Sequence, residues 1–153
     1  MYNPSDDTLV SDKVQVASEI DIDRAVAAAK AAFTTWKSTS GEYRTRLMLK
    51  LADLIENNVE RIAKLESIAI GQPIAVARFA VNAGVRFWRY YAGLTDKIPG
   101  ETYPNDGDGM FRMVNYEPLG VCAGISAWNA TQMFLGMKVG RTPIHDPFKY
   151  GGR

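Results

Sequence analysis

An α/β chain is expected from three features of this sequence. Apolar residues recur at steps of three and four through most of the region from Ile22 to Tyr91, the spacing of helices that bury one face. Leu119 to Ala127 is a nearly continuous apolar run without charge, the pattern of a strand buried on both faces of a parallel sheet. Between them lie the turn formers Pro99-Gly100 and Asn105-Asp-Gly-Asp-Gly109, because glycine reaches positive φ freely and Asn or Asp tolerates it.

Taken in order, Leu9 to Ala17 sets Val10, Val14 and Val16 against polar Lys13 and Gln15, which predicts a half-buried strand. Ile22, Val26, Ala29, Phe33 and Trp36 then form one helical stripe, a surface helix packed by one face, with Asp21 as its expected cap. Lys37-Ser-Thr-Ser-Gly41 interrupts the pattern. Leu47, Leu51, Leu54 and Ile55 resume it, and Val59, Ile62, Leu65 and Ile68 extend it, which predicts one or two helices over about Glu42 to Ala69. Gly71-Gln-Pro73 closes that region, glycine suiting a helix end and proline the first turn of the next helix. Ile74 to about Tyr91 carries Ala77, Val81, Val85 and Trp88 on one stripe and Phe79, Phe87 and Tyr90 around it, so this helix is expected at the centre of the packing. Phe111 to Tyr116 alternates weakly as a strand. After Gly140 no period remains, and residues 141–153 are expected to be irregular.

Composition narrows the function. A chain of 153 residues with 46% hydrophobic and 10% aromatic content has material for a core. Lys plus Arg number 18 against 17 Asp plus Glu, a net charge of +1 with no basic cluster, so no nucleic-acid or anionic-membrane footprint is present. No apolar run is long enough for a membrane span, and the polar start MYNPSDD lacks a secretory signal pattern, so a cytoplasmic setting is expected. A single cysteine, Cys122, excludes an internal disulfide and a multi-cysteine zinc site. A thiol enzyme built on Cys122 and the lone His145 is one reading; the apolar run around Cys122 favours a small buried hydrophobe instead.

Five stretches occur here in a fixed order: Asn3-Pro4, AVAAAKAAF, RTRLMLKLADLIENN, RYYAGLTDKIPGE and EPLGVCAGISAWN. Together they resemble the aldehyde dehydrogenase family over about Asn3 to Gly140. Any one of the helical stretches recurs in unrelated proteins, whereas the ordered set ending in GVCAGISAWN is specific. The resemblance implies an incomplete, amino-terminal part of that family's cofactor-binding domain over 1–140: several helices, a β-hairpin and the first strand of a parallel sheet, followed by a divergent tail over 141–153.

The resemblance also implies roles. Asn129 matches the family asparagine whose side-chain amide donates to the oxyanion formed when a thiolate attacks an aldehyde, and a preorganised donor of that kind is worth about 3 to 4 kcal/mol of barrier. Ile125, Ser126, Ala127 and Trp128 match the strand end that lies along the nicotinamide of NAD or NADP, and Lys138 matches a lysine that assists proton movement. Three positions depart from the pattern: Ala127 stands where proline is usual, and Ala130-Thr131 where an aromatic-proline pair is usual. Cys122 matches a family cysteine that is not the nucleophile. The nucleophile, the general-base glutamate and the pyrophosphate turn have no counterpart here, and no G-x-G-x-x-G motif is present.

The expected function is therefore that of an amino-terminal portion of an NAD(P)-dependent oxidoreductase, inactive alone and not holding the cofactor tightly, with an aldehyde as substrate of the complete enzyme. The alternative is a noncatalytic interaction protein that forms homo-oligomers or joins family subunits through exposed apolar surface and a free sheet edge.

Overall fold

The computed structural model describes residues 1–141, so the expected tail beyond Arg141, including His145, lies outside the described residues. Five helices follow one another: α1 (Glu19–Trp36), α2 (Gly41–Glu56), α3 (Val59–Ile70), α4 (Ile74–Ala92) and, after a hairpin and a 3-10 turn, α5 (Thr131–Lys138). The hairpin pairs β1 (Glu101–Tyr103) with β2 (Arg112–Val114) antiparallel, Thr102 opposite Met113. The described residues are thus mostly helical, with one two-stranded antiparallel sheet and no parallel sheet.

Local chemistry explains the helix ends. Ser18, not Asp21, is the N-cap of α1; its hydroxyl accepts from the Asp21 backbone N–H while the Asp21 carboxylate accepts from the Ser18 backbone N–H, a reciprocal capping box. Ser40 caps α2 through one such bond, its hydroxyl accepting from the Tyr43 N–H. Gly71 closes α3 at φ 72°, and an added Cβ there would lie 2.9 Å from Pro4 Cγ, so both backbone conformation and space call for glycine. Pro73 sits at the N-cap of α4, one position before the first turn expected for it.

The core lies where α2 and α3 cover α4: Met48, Ala52 and Ile55 of α2, Ala63 of α3, and Ala77, Val81, Val85, Trp88 and Ala92 of α4 are buried together. The α4 stripe is as the sequence spacing predicts. On α2 the buried face is rotated by about one position, for Leu47, Leu51 and Leu54 are 38%, 38% and 53% exposed. Alanine explains the shift: Ala52, Ala63 and Ala77 let the helix axes approach, and the longer leucines are displaced to the flanks. In α3 the same logic buries Ala63 and Glu66 and leaves Leu65 out.

Buried hydroxyls and surface ion pairs fasten this core. The wholly buried Thr95, just past α4, donates to the Gly41 carbonyl at 2.9 Å and meets the Thr45 hydroxyl at 2.5 Å, tying the end of α4 to the start of α2. Arg89 of α4 bridges Glu56 and Asp53 of α2, and Arg78 makes a two-pronged contact with Glu60 of α3.

Two expected strands are not strands. Leu119 to Ala127 runs without a strand partner, and Leu119 and Ile125 are 85% and 88% exposed. A strand is defined by a neighbour that takes its N–H and C=O groups, and no described residue offers one to this run. Leu9 to Ala17 makes only an isolated bridge, Leu9 with Tyr2, and Val16 is 90% exposed. Helix α1 fully buries none of its residues among the described ones: Phe33 and Trp36 of its stripe are half-buried, while Ile22 and Val26 are exposed. Cys122, expected inside, is exposed, because the run that carries it is not covered.

Candidate functional site

The residues singled out by sequence come together beside the second half of α4. Helix α5 is the element that gathers them, and its contact with α4 is backbone against backbone. A Cβ added at Gly84 would lie 2.5 Å from the Gln132 carbonyl oxygen, and one added at Gly136 would lie 2.8 Å from the Gly84 carbonyl oxygen. Only glycine permits that approach. Immediately before α5 stands the 3-10 turn Trp128–Ala130, which presents Asn129.

Ala127 enters the turn at φ −75° and ψ 151°, inside the range that proline would impose, although no ring is there to impose it. Asn129 is exposed, and its side-chain amide makes no hydrogen bond to a described residue. Trp128 is 75% exposed beside it. Lys138, at the other end of α5, donates from Nζ to the Ile125 carbonyl. The run Ile125 to Trp128 is thereby folded along α5 and held at both ends, with Gly124 3.7 Å from Lys138 when a Cβ is added.

Sequence reasoning missed α5 itself and missed Glu66. Helix α3 delivers the Glu66 carboxylate to the start of α5, where Oε1 accepts from the Thr131 backbone N–H at 2.6 Å. Neither Ala127 nor Ala130 has a side-chain oxygen for that job, so the cap comes from 65 positions away. A carboxylate at a helix start is favoured by the aligned peptide dipoles. Burial of a charged residue at the position after Ala63 and Lys64-Leu65 was the available signal, visible only once the inward face of α3 was known.

The arrangement offers a donor amide at Asn129, an exposed apolar surface from Ile125 and Trp128, and unpaired backbone between them. Such a surface suits one face of a flat aromatic ring. It does not suit a phosphate, because the start of α5 is already taken by the Glu66 carboxylate. Among the described residues there is no group of His, Cys, Asp and Glu arranged to hold a metal ion, and no helix is long and apolar enough to cross a membrane.

Comparison with known proteins gives a consistent picture. Residues 1–142 match the model of the aldehyde dehydrogenase family. Human retinal dehydrogenase 2 is 41% identical over 143 residues, which cover 91% of this chain and 27% of that protein. An aldehyde dehydrogenase of Davidiella tassiana is 38% identical over 141 residues, covering 92% of this chain and 28% of its own length. Among solved structures, PnpE in complex with nicotinamide adenine dinucleotide superposes with a TM-score of 0.87 at 39% identity, over 94% of this chain and 29% of that one. The aldehyde dehydrogenase of Brucella melitensis biovar abortus 2308 gives 0.89 at 27% identity, over 94% and 30%. The chain therefore spans less than a third of the length of these relatives.

Proposed function

The chain belongs to the aldehyde dehydrogenase family, as an amino-terminal portion of its fold, and on that premise we propose that it supplies two parts of an NAD(P)-dependent aldehyde oxidation. Asn129 is the oxyanion donor, and Ile125 to Trp128 form one wall of the nicotinamide site. The observation that carries this reading is the exposed 3-10 turn, where the Asn129 amide is engaged by no described residue and projects beside Trp128.

In the complete reaction a thiolate from outside this segment adds to the aldehyde carbon, and the former carbonyl oxygen gains negative charge. An Asn129 N–H aimed at that oxygen stabilises the charge as it develops, which lowers the barrier rather than tightening ground-state binding. Ile125 to Trp128 would lie along the nicotinamide, which when bound would supply the hydride acceptor for the oxidation. Water then releases the acid from sulfur. Lys138, at the other end of α5, donates from Nζ to the Ile125 carbonyl, and we assign it the proton-assisting role on the family likeness.

Nothing in the segment supplies the nucleophile, the base or the phosphate cradle, so the purified chain is expected to form no NADH or NADPH from simple aldehydes. Absorbance of the reduced cofactor measures this directly, and its appearance with the chain alone overturns the reading. A second reading, a noncatalytic partner of family subunits, is favoured by the exposed apolar residues Leu119, Ile125 and Trp128. Co-expression with a complete family subunit followed by size-exclusion chromatography tests it; separate elution of the two counts against it.

A further inference from the structure

We propose that Glu66 is a positioning residue for Asn129: its buried carboxylate pins the first amide of α5 and thereby sets the direction in which the Asn129 turn projects. The inference rests on the reading of Asn129 as the oxyanion donor, but the geometry behind it is separate. Glu66 is only 8% exposed, and Oε1 accepts from the Thr131 N–H at 2.6 Å. Thr131 in turn donates its hydroxyl to the Trp128 carbonyl at 3.5 Å, so the residue held by Glu66 closes the turn on the other side of Asn129.

The remaining anchors fix other parts of α5. Gly84 and Gly136 set its distance from α4, and Lys138 holds its last turn to the Ile125 carbonyl. Gly84 packs against Gln132 beside the first amide of the helix and Ala130 is buried, but none of these offers an acceptor to the Thr131 N–H. With alanine at both Ala127 and Ala130, no local side chain replaces Glu66 if its carboxylate is lost. The 3-10 turn then has one loose end, and Asn129 lies in it.

The test uses the full chain, isotopically labelled, with Glu66→Met, which keeps length and removes the acceptor, and Glu66→Gln, which keeps a neutral acceptor. Amide exchange at Thr131 and the side-chain amide resonances of Asn129 are read by NMR, with Ala52 and Val81 amides as references in the core. In Glu66→Met, Thr131 is expected to exchange roughly 10- to 100-fold faster, the loss of a hydrogen bond to a charged acceptor. The Asn129 resonances shift with it, the core amides hold, and Glu66→Gln restores most of the protection.

Unchanged Thr131 and Asn129 signals in Glu66→Met overturn the proposal, as does absence of rescue by glutamine. Equal loss of protection at Ala52 and Val81 also overturns it, by making Glu66 a general fold residue. Should Glu66→Met not fold, Glu66→Gln decides alone: the weaker neutral acceptor moves the Thr131 proton, and Asn129 either follows it or stays and refutes the link. No turnover is measured, so failure here leaves the aldehyde-oxidation reading standing, and a failure of that reading leaves this geometry standing.

Discussion

The oxyanion role proposed for Asn129 requires that the turn beneath it be held, and several single residues bear on that. In a complete family subunit containing this segment, Asn129→Ala is expected to lower kcat about 100- to 1000-fold with KM little changed, as steady-state kinetics would show. Ala127 already holds the φ that proline prefers, so Ala127→Pro should raise stability by about 0.4 to 1 kcal/mol by restricting the unfolded chain; a lower denaturant midpoint for the variant would contradict this. Thr95→Val removes the hydroxyl shared by Gly41, Ala92 and Thr45 and should cost about 1 to 3 kcal/mol in a urea melt. At this scale the exposed position of Asn129 after the apolar run was legible, because the Ala-Trp-Asn triplet ends that run. Glu66 was not, because its partner is the backbone of Thr131, and a backbone amide leaves no mark in the sequence.

Among the elements, α1 owes its start to a pair of residues and nothing to burial. The Asp21 carboxyl is held below its ordinary value of 3.8, chiefly by the Ser18 backbone N–H and then by the Ser18 hydroxyl. A depressed folded pKa means that this contribution is present above the unfolded value and is lost as pH falls through the folded one. Helix content measured by circular dichroism should therefore decline on acidification below the usual aspartate range, and Asp21→Asn, which removes the titrating carboxyl, should flatten that decline. Helices α1 to α4 were legible from period, and so was the inward stripe of α4, whereas the short α5 was not. The inward stripe of α2 was misread because leucine outweighs alanine in any hydrophobic count, while close packing of axes selects alanine. Leu119 to Ala127 was misread for a different reason: apolarity predicts that a run is to be covered, and only the presence of neighbours decides whether it is a strand.

At the scale of the whole molecule, the described residues form a helical core with an exposed apolar rim. Leu119, Ile125 and Trp128 on one segment and Ile20 and Ile22 on α1 are all more than half exposed. Self-association at micromolar concentration is the expected outcome, and a strictly monomeric light-scattering profile over a wide concentration range would contradict it. The surface ion pairs of Arg89 and Arg78 do little to offset this, since exposed pairs contribute only about 0 to 1 kcal/mol each. The meeting of Gly84 with Gly136 has a further bearing on how the molecule tolerates change. Where two helices touch through side chains, a larger residue on one can be accommodated by a smaller one on the other. Here there is nothing left to trim, so the spacing of this pair is fixed against mutational drift, and α5 inherits its distance from α4.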